Sequence, residues 1–129
     1  MSFLANLSPT LLSVLRIMSG LLLLQHGTTK ILGLPQSQMT GVDLTSLGGI
    51  AGILELVGGV LLVIGLFTRP TAFILSGMLA VAYFMVHAPQ GFYPLLNGGE
   101  LAALYCFVML YLAAAGAGPL SVDRAVGNA

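Results

Sequence analysis

Hydrophobic positions in this chain gather into four long runs, at about residues 9–32, 47–67, 70–87 and 98–117. None of them alternates apolar with polar at the period of two that a half-buried strand needs, so each is read as a helix. A hydrocarbon core about 30 Å thick takes about 20 helical residues, and each run is near that length. The breaks between runs carry turn chemistry. Residues 33–46 hold Pro35, Gln36, Ser37, Gln38, Gly41 and Asp43, and residues 88–97 hold Pro89, Gly91, Pro94 and Asn97. Thr68-Arg69-Pro70 reads as a tight connection, with Thr68 as N-cap and Pro70 in the next first turn. Connections this short predict helices packed up and down as antiparallel neighbours. The expected fold is therefore all-α, an integral membrane four-helix bundle formed by one domain over residues 1–129. Residues 119–129 are expected to form a short polar tail.

Composition sharpens this reading. Only 6% of the residues are charged and 57% are hydrophobic, with a mean hydropathy of +1.03, whereas soluble domains carry roughly 25% charge. So few charges do not cover the surface of a soluble domain. A formal net charge of zero argues against a nucleic-acid partner. Cys106 is the one cysteine, which excludes an intramolecular disulfide and a multi-cysteine metal site. The N-terminus lacks the basic region of a cleaved leader, so the first run is expected to be retained as a span. Arg69 and Arg124 flank one side with Arg16 in the same half, against Lys30 alone near the other. Basic residues favour the cytoplasm, so the expected topology is N-in, C-in in a bacterial inner membrane.

The second run holds the first chemical signal. At 100° per residue, Gly48, Gly52, Glu55 and Gly59 share one helix face. Interior glycines are poor helix formers in water, but in lipid they let two backbones approach closely. Gly52 is therefore expected to be sensitive to substitution, and Gly65, off this face at the end of the span, less so. Glu55 then lies inside a helix contact, where an ionisable group is a functional candidate by default. The depth of Arg16 in the first run makes a structural Arg16–Glu55 ion pair the expected partnership. Near the opposite end lie His26, Lys30, His87, Asn97 and Glu100. The fourth run is expected to turn Glu100, Phe107 and Tyr111 inward.

Taken in order, Arg16, His26-Gly27-x-x-Lys30, Glu55-x-x-Gly58-Gly59, Gly65, His87, Asn97-Gly98-Gly99-Glu100 and Leu120-Ser121-Val122-Asp123 resemble the DoxX family. That resemblance implies a small four-helix bacterial membrane protein, some members being linked to thiosulfate:quinone oxidoreductase and others to membrane redox complexes. It implies oxidoreductase partner subunits besides the lipid bilayer; a homo-oligomer is compatible with the pattern.

Three readings of the polar cluster compete. As a quinone headgroup site, His26, Lys30, His87, Asn97 and Glu100 bind the ligand while Glu55, Glu100 and His87 carry the catalytic proton transfers. As metal ligands, His26, His87 and Glu100 lack the usual helical spacing, so no metal is expected. As plain interfacial polar groups they only cap helices. Quinone is thus the candidate cofactor, and a quinone-interacting or anchoring subunit the first functional reading. A non-enzymatic membrane scaffold or chaperone is the alternative, and a small-solute transporter follows.

Overall fold

A computed structural model describes residues 1–128, and no strand occurs among them. A short helix α1 (Ser2–Asn6) precedes α2 (Ser8–Leu32), which is followed by α3 (Leu47–Ile64) and α4 (Thr68–Ala82). A wide π-turn (Tyr83–His87) and a 3-10 turn (Ala88–Gln90) extend α4. Then come α5 (Pro94–Asn97), α6 (Glu100–Ala115) and α7 (Val122–Ala125). The long helices α2, α3, α4 and α6 form the bundle. Three continuous helical stretches, Ser8–Leu32, Leu47–Ile64 and Thr68–Gln90, are long and apolar enough to cross a membrane. α6 is apolar but shorter, because Pro94–Asn97 folds as its own turn before it.

The ends of these helices follow from local chemistry. Pro9 opens α2, where its missing N–H costs nothing, and Gly33 closes it in the left-handed region at φ 69°. Ser46 caps α3 by accepting from the Gly49 N–H at 3.1 Å. α3 stops at Gly65, φ 71°, three residues short of the expected end. Pro89 has no N–H to offer the carbonyl four residues back, so the α-helical ladder gives way there to the wider turn.

Thr68 turns out to be the first residue of α4 rather than its cap. The cap comes from the far end of the chain. Asp123 accepts from the backbone N–H of Phe67 at 2.8 Å and of Thr68 at 2.9 Å. Burial pushes the Asp123 carboxyl up, but these N–H donors and the nearby Arg16 charge outweigh it and hold it below the ordinary carboxylate range. The tail is thus a docked element and not a loose polar end.

α2 packs closely along α3 and α4 along α6, with a looser seam between the two pairs. Glycines make the first contact. A Cβ on Gly20 would touch the Val63 backbone, one on Gly59 the Leu24 backbone, and one on Gly27 would overlap the Leu56 backbone. Small residues at such points let backbones meet where lipid offers no hydrophobic drive. Ser76 ties the other pair, its hydroxyl donating to the Cys106 carbonyl at 2.8 Å.

The ranking of Gly52 and Gly65 is reversed from expectation. A Cβ on Gly52 meets the flexible Lys30 stem at 3.1 Å, whereas one on Gly65 would lie 2.5 Å from Arg16 Nη1 and from Ser121 Cβ. Gly65 also holds a positive φ that other residues resist.

The core lies in the half of the bundle nearest the termini. Leu62, Ala72, Leu75, Met109 and Leu112 are buried there, with Leu23, Leu79 and Tyr105 above them. α6 therefore faces inward with Tyr105, Met109 and Leu112, not with the expected set. Phe107 and Tyr111 are 69% and 56% exposed. The outer faces carry Leu21, Ile53, Val57, Phe73, Ile74, Val81 and Leu104, all exposed, an apolar coat too extensive for a water-facing monomer.

Candidate functional site

The two helix pairs separate above Leu23, Leu79 and Tyr105 to leave a cavity of about 360 Å³. Its walls are mostly apolar, from Ala82, Val86, Leu101 and Ala102, and into them project His26, Lys30, Glu55 and His87. Lys30 Nζ donates to Glu55 Oε2 at 2.9 Å, with side-chain exposures of 13% and 8%. This ion pair spans α2 and α3, and the Lys30 stem lies across Gly52 to reach it. A charged pair so far out of water is expensive unless its geometry and surroundings support it.

The expected Arg16–Glu55 pair is not formed, and the register explains why. Gly20 lies opposite Val63, and Gly27, seven residues on, opposite Leu56, seven residues back. In this antiparallel register Glu55 comes level with the turn between His26 and Lys30. Arg16 comes level with the end of α3, roughly 18 Å away at 1.5 Å per residue. There it is fully buried and reads backbone. Its Nη1 donates to the Ala117 carbonyl at 2.5 Å and its Nη2 to the Leu120 carbonyl at 2.7 Å. Ser13 completes this latch, donating to the Ala117 carbonyl and accepting from the Leu120 N–H at 3.1 Å.

His87 is oriented by its loop. Its Nδ1 lies 3.1 Å from the Asn97 carbonyl. A carbonyl only accepts, so Nδ1 carries the proton and Nε2 is the nitrogen left for a ligand. Asn97 was expected to bind ligand itself, but its buried side chain is committed to the loop. It donates to the Gly91 carbonyl at 2.9 Å and the Tyr83 hydroxyl at 3.3 Å, and accepts from the Gly99 N–H at 2.8 Å. Asn97 positions His87 and does not line the cavity.

Glu100 is a second correction. It is exposed at the start of α6 and contributes no wall to the cavity. It lies about 140° around the helix from the inward-facing Tyr105, five residues on. Of the expected residues, the fold brings His26, Lys30, Glu55 and His87 together and leaves Arg16, Asn97 and Glu100 elsewhere. Among the described residues no three histidine, cysteine, aspartate or glutamate side chains gather as metal ligands.

Tyr105 and Met39 are among the lining residues that were not anticipated. Tyr105 shares a helical face with Ala102 and Met109, a spacing visible in the sequence. Met39 comes from the loop after α2, which Thr29 pins by hydrogen bonds to the Pro35 carbonyl and, at 2.7 Å, to the Ser37 hydroxyl.

Fold and site together define a small helical membrane protein with an ionised, largely apolar cavity between two helix pairs. The chain belongs to the DoxX family, whose sequence model matches residues 11–88. That stretch contains His26, Lys30, Glu55 and His87 and excludes Asn97 and Glu100. The chain is 45% identical over 131 aligned positions to a protein of Haemophilus influenzae, covering 96% of each. It is 36% identical over 72 positions to a second protein of that organism, covering 56% of this chain and 48% of the relative. Both relatives are described as uncharacterized proteins. No solved structure matches.

Proposed function

We propose that the cavity binds a quinone headgroup, and that the chain is a quinone-interacting or anchoring subunit of an oxidoreductase complex in the bacterial inner membrane. The Lys30–Glu55 pair inside an otherwise apolar cavity carries this reading. The pair is neutral as a whole, so it suits an uncharged ligand. A quinone offers two carbonyl acceptors, and Lys30 keeps two N–H donors after serving Glu55. His26 lies around the same space, and Nε2 of His87, an acceptor, suits the hydroxyl of the reduced quinol. The volume falls within the roughly 300–1,000 Å³ of small-molecule sites.

Full reduction of a quinone consumes two electrons and two protons. In this reading the electrons pass between the quinone and the oxidoreductase partner. The Glu55 carboxylate and Nε2 of His87, both proton acceptors as they stand, take up the two protons when quinol is oxidised and return them when quinone is reduced. Lys30→Met keeps the stem over Gly52 and removes the donor. It is expected to weaken decylubiquinone binding by at least about tenfold, read by titration of the purified chain in detergent. Unchanged affinity, or wild-type protein that binds no quinone, ends this reading.

The reading includes a topology. The end where Arg16 holds the tail is taken as cytoplasmic, as the basic residues Arg69 and Arg124 there favour. A reporter fused after residue 129 is expected to be active on the cytoplasmic side. Periplasmic activity reverses the assignment.

A further inference from the structure

The cavity has two borders. Towards the loop it meets two clefts of mostly apolar wall with a few polar side chains at their edges, Gln25, Thr29 and Ser37 in one, Gln38 and Thr40 in the other. Met39 lines the cavity and both clefts and stands between them, beside His26 at the first and Lys30 at the second. The loop holds it there, with the Met39 N–H donating to the Ser37 hydroxyl at 3.2 Å and Thr40 donating to the Thr29 carbonyl at 3.1 Å.

Sideways, between α3 and α4, the cavity meets a groove of about 330 Å³. Ile50, Ala51, Leu54, Ile74, Met78 and Val81 line it, and apart from the Lys30 stem its walls are apolar or glycine. Lys30, Ala82 and Val86 belong to both spaces. Ile50, Ile74 and Val81 are also exposed on the outer face, which places the groove against lipid. α3 and α4 touch less closely than the members of each tight pair, though more than α2 and α6 do, so it is the apolar groove at this seam that marks it as the opening.

We propose that the cavity is loaded from the lipid through the α3–α4 groove, and that its ligand bears a hydrocarbon chain that stays in the groove while Met39 closes the cavity to water. This rests on the quinone reading and adds the route and the tail. A chain in the groove gains little over one in lipid, since both surroundings are apolar. The groove therefore acts by shape: it gives the tail an exit that keeps the headgroup beside Lys30.

The test uses two probes, the tail-less ubiquinone headgroup and decylubiquinone, titrated into the purified full chain in detergent. Ala51 lines the groove and not the cavity. Ala51→Phe is expected to weaken decylubiquinone by at least about tenfold, through overpacking against the tail, and to leave the headgroup within about twofold. Retained headgroup binding shows that the variant is folded. Val81→Trp, on the opposite wall, repeats the test should Ala51→Phe not accumulate. Met39→Ala is expected to speed association of the tail-less headgroup from water. Equal loss of both probes, no loss of decylubiquinone in either groove variant, or unchanged headgroup association in Met39→Ala overturns lateral loading and leaves the quinone reading standing. Failure of the unaltered protein to bind either probe overturns both.

Discussion

Gly27→Leu is expected to abolish the bundle, or to lower its unfolding temperature in detergent more than any other single change in α2. A Cβ at this position already falls inside contact distance of the Leu56 backbone N and Cα and of the Glu55 carbonyl carbon. These are main-chain atoms of a helix and cannot swing aside as a side-chain tip does. Overpacking where neighbours can adjust costs about 1–3 kcal/mol, and here the loss lies at or above the top of that range. The consequence extends to the site, because pushing α3 away from α2 also draws Glu55 from Lys30. Gly77→Leu is the control, since a Cβ on Gly77 meets nothing within 4 Å. It removes a weak helix former worth about 1 kcal/mol and is expected to be neutral or mildly stabilising. Thermal unfolding of the two variants side by side decides the matter; similar values for both end the close-contact account of α2 and α3.

The second large effect is expected from Arg16→Met. The guanidinium is fully buried and holds the Ala117 and Leu120 carbonyls, with a longer contact to the Val63 carbonyl at 3.5 Å. Methionine fills much of the space and donates nothing. The Leu120 carbonyl loses its partner, at about 1–3 kcal/mol, and the Ala117 carbonyl keeps only the Ser13 hydroxyl. These losses are offset in part by relief of burying a charge whose Nε has no partner. The net result is lower thermal stability together with a freed tail. With the tail goes the Asp123 cap on α4. Limited proteolysis is expected to cut Arg16→Met after Ala115 under conditions that leave wild type intact. Arg16→Lys reaches fewer carbonyls and is expected to fall between. A tail equally resistant in Arg16→Met and wild type means that other contacts hold it.

The four helices were legible because each apolar run is long and its breaks are glycine, proline and polar residues. The α2–α3 interface was legible too, since Gly52 and Glu55 share a face. The partner of Glu55 was not, because depth counted from span ends does not give register. Register is set by Gly20, Gly27 and Gly59 meeting backbone, which pairs of positions a few residues apart do not reveal. α6 misled for a different reason. It is apolar on every side, so its lone carboxylate, Glu100, suggested an inward face that packing assigns instead to Tyr105, Met109 and Leu112. The tail was read only as short and polar. Its docking was missed because Arg16 recognises its carbonyls, and a backbone carbonyl leaves no mark in a sequence. The two imidazoles and Lys30 were found by their depth near one end of the bundle, which survives errors of register.

The Arg16 latch also orders events in time. Its two principal partners lie 101 and 104 residues further along the chain. At about 5–20 residues per second of synthesis, the guanidinium waits about 5–20 s in the first span before the carbonyls it needs exist. Until then the nascent bundle carries within its first span a cation whose remaining acceptor in the finished fold is the distant Val63 carbonyl. A chain truncated before Ala117 never leaves that state. The latch is therefore among the last contacts of the bundle that can form.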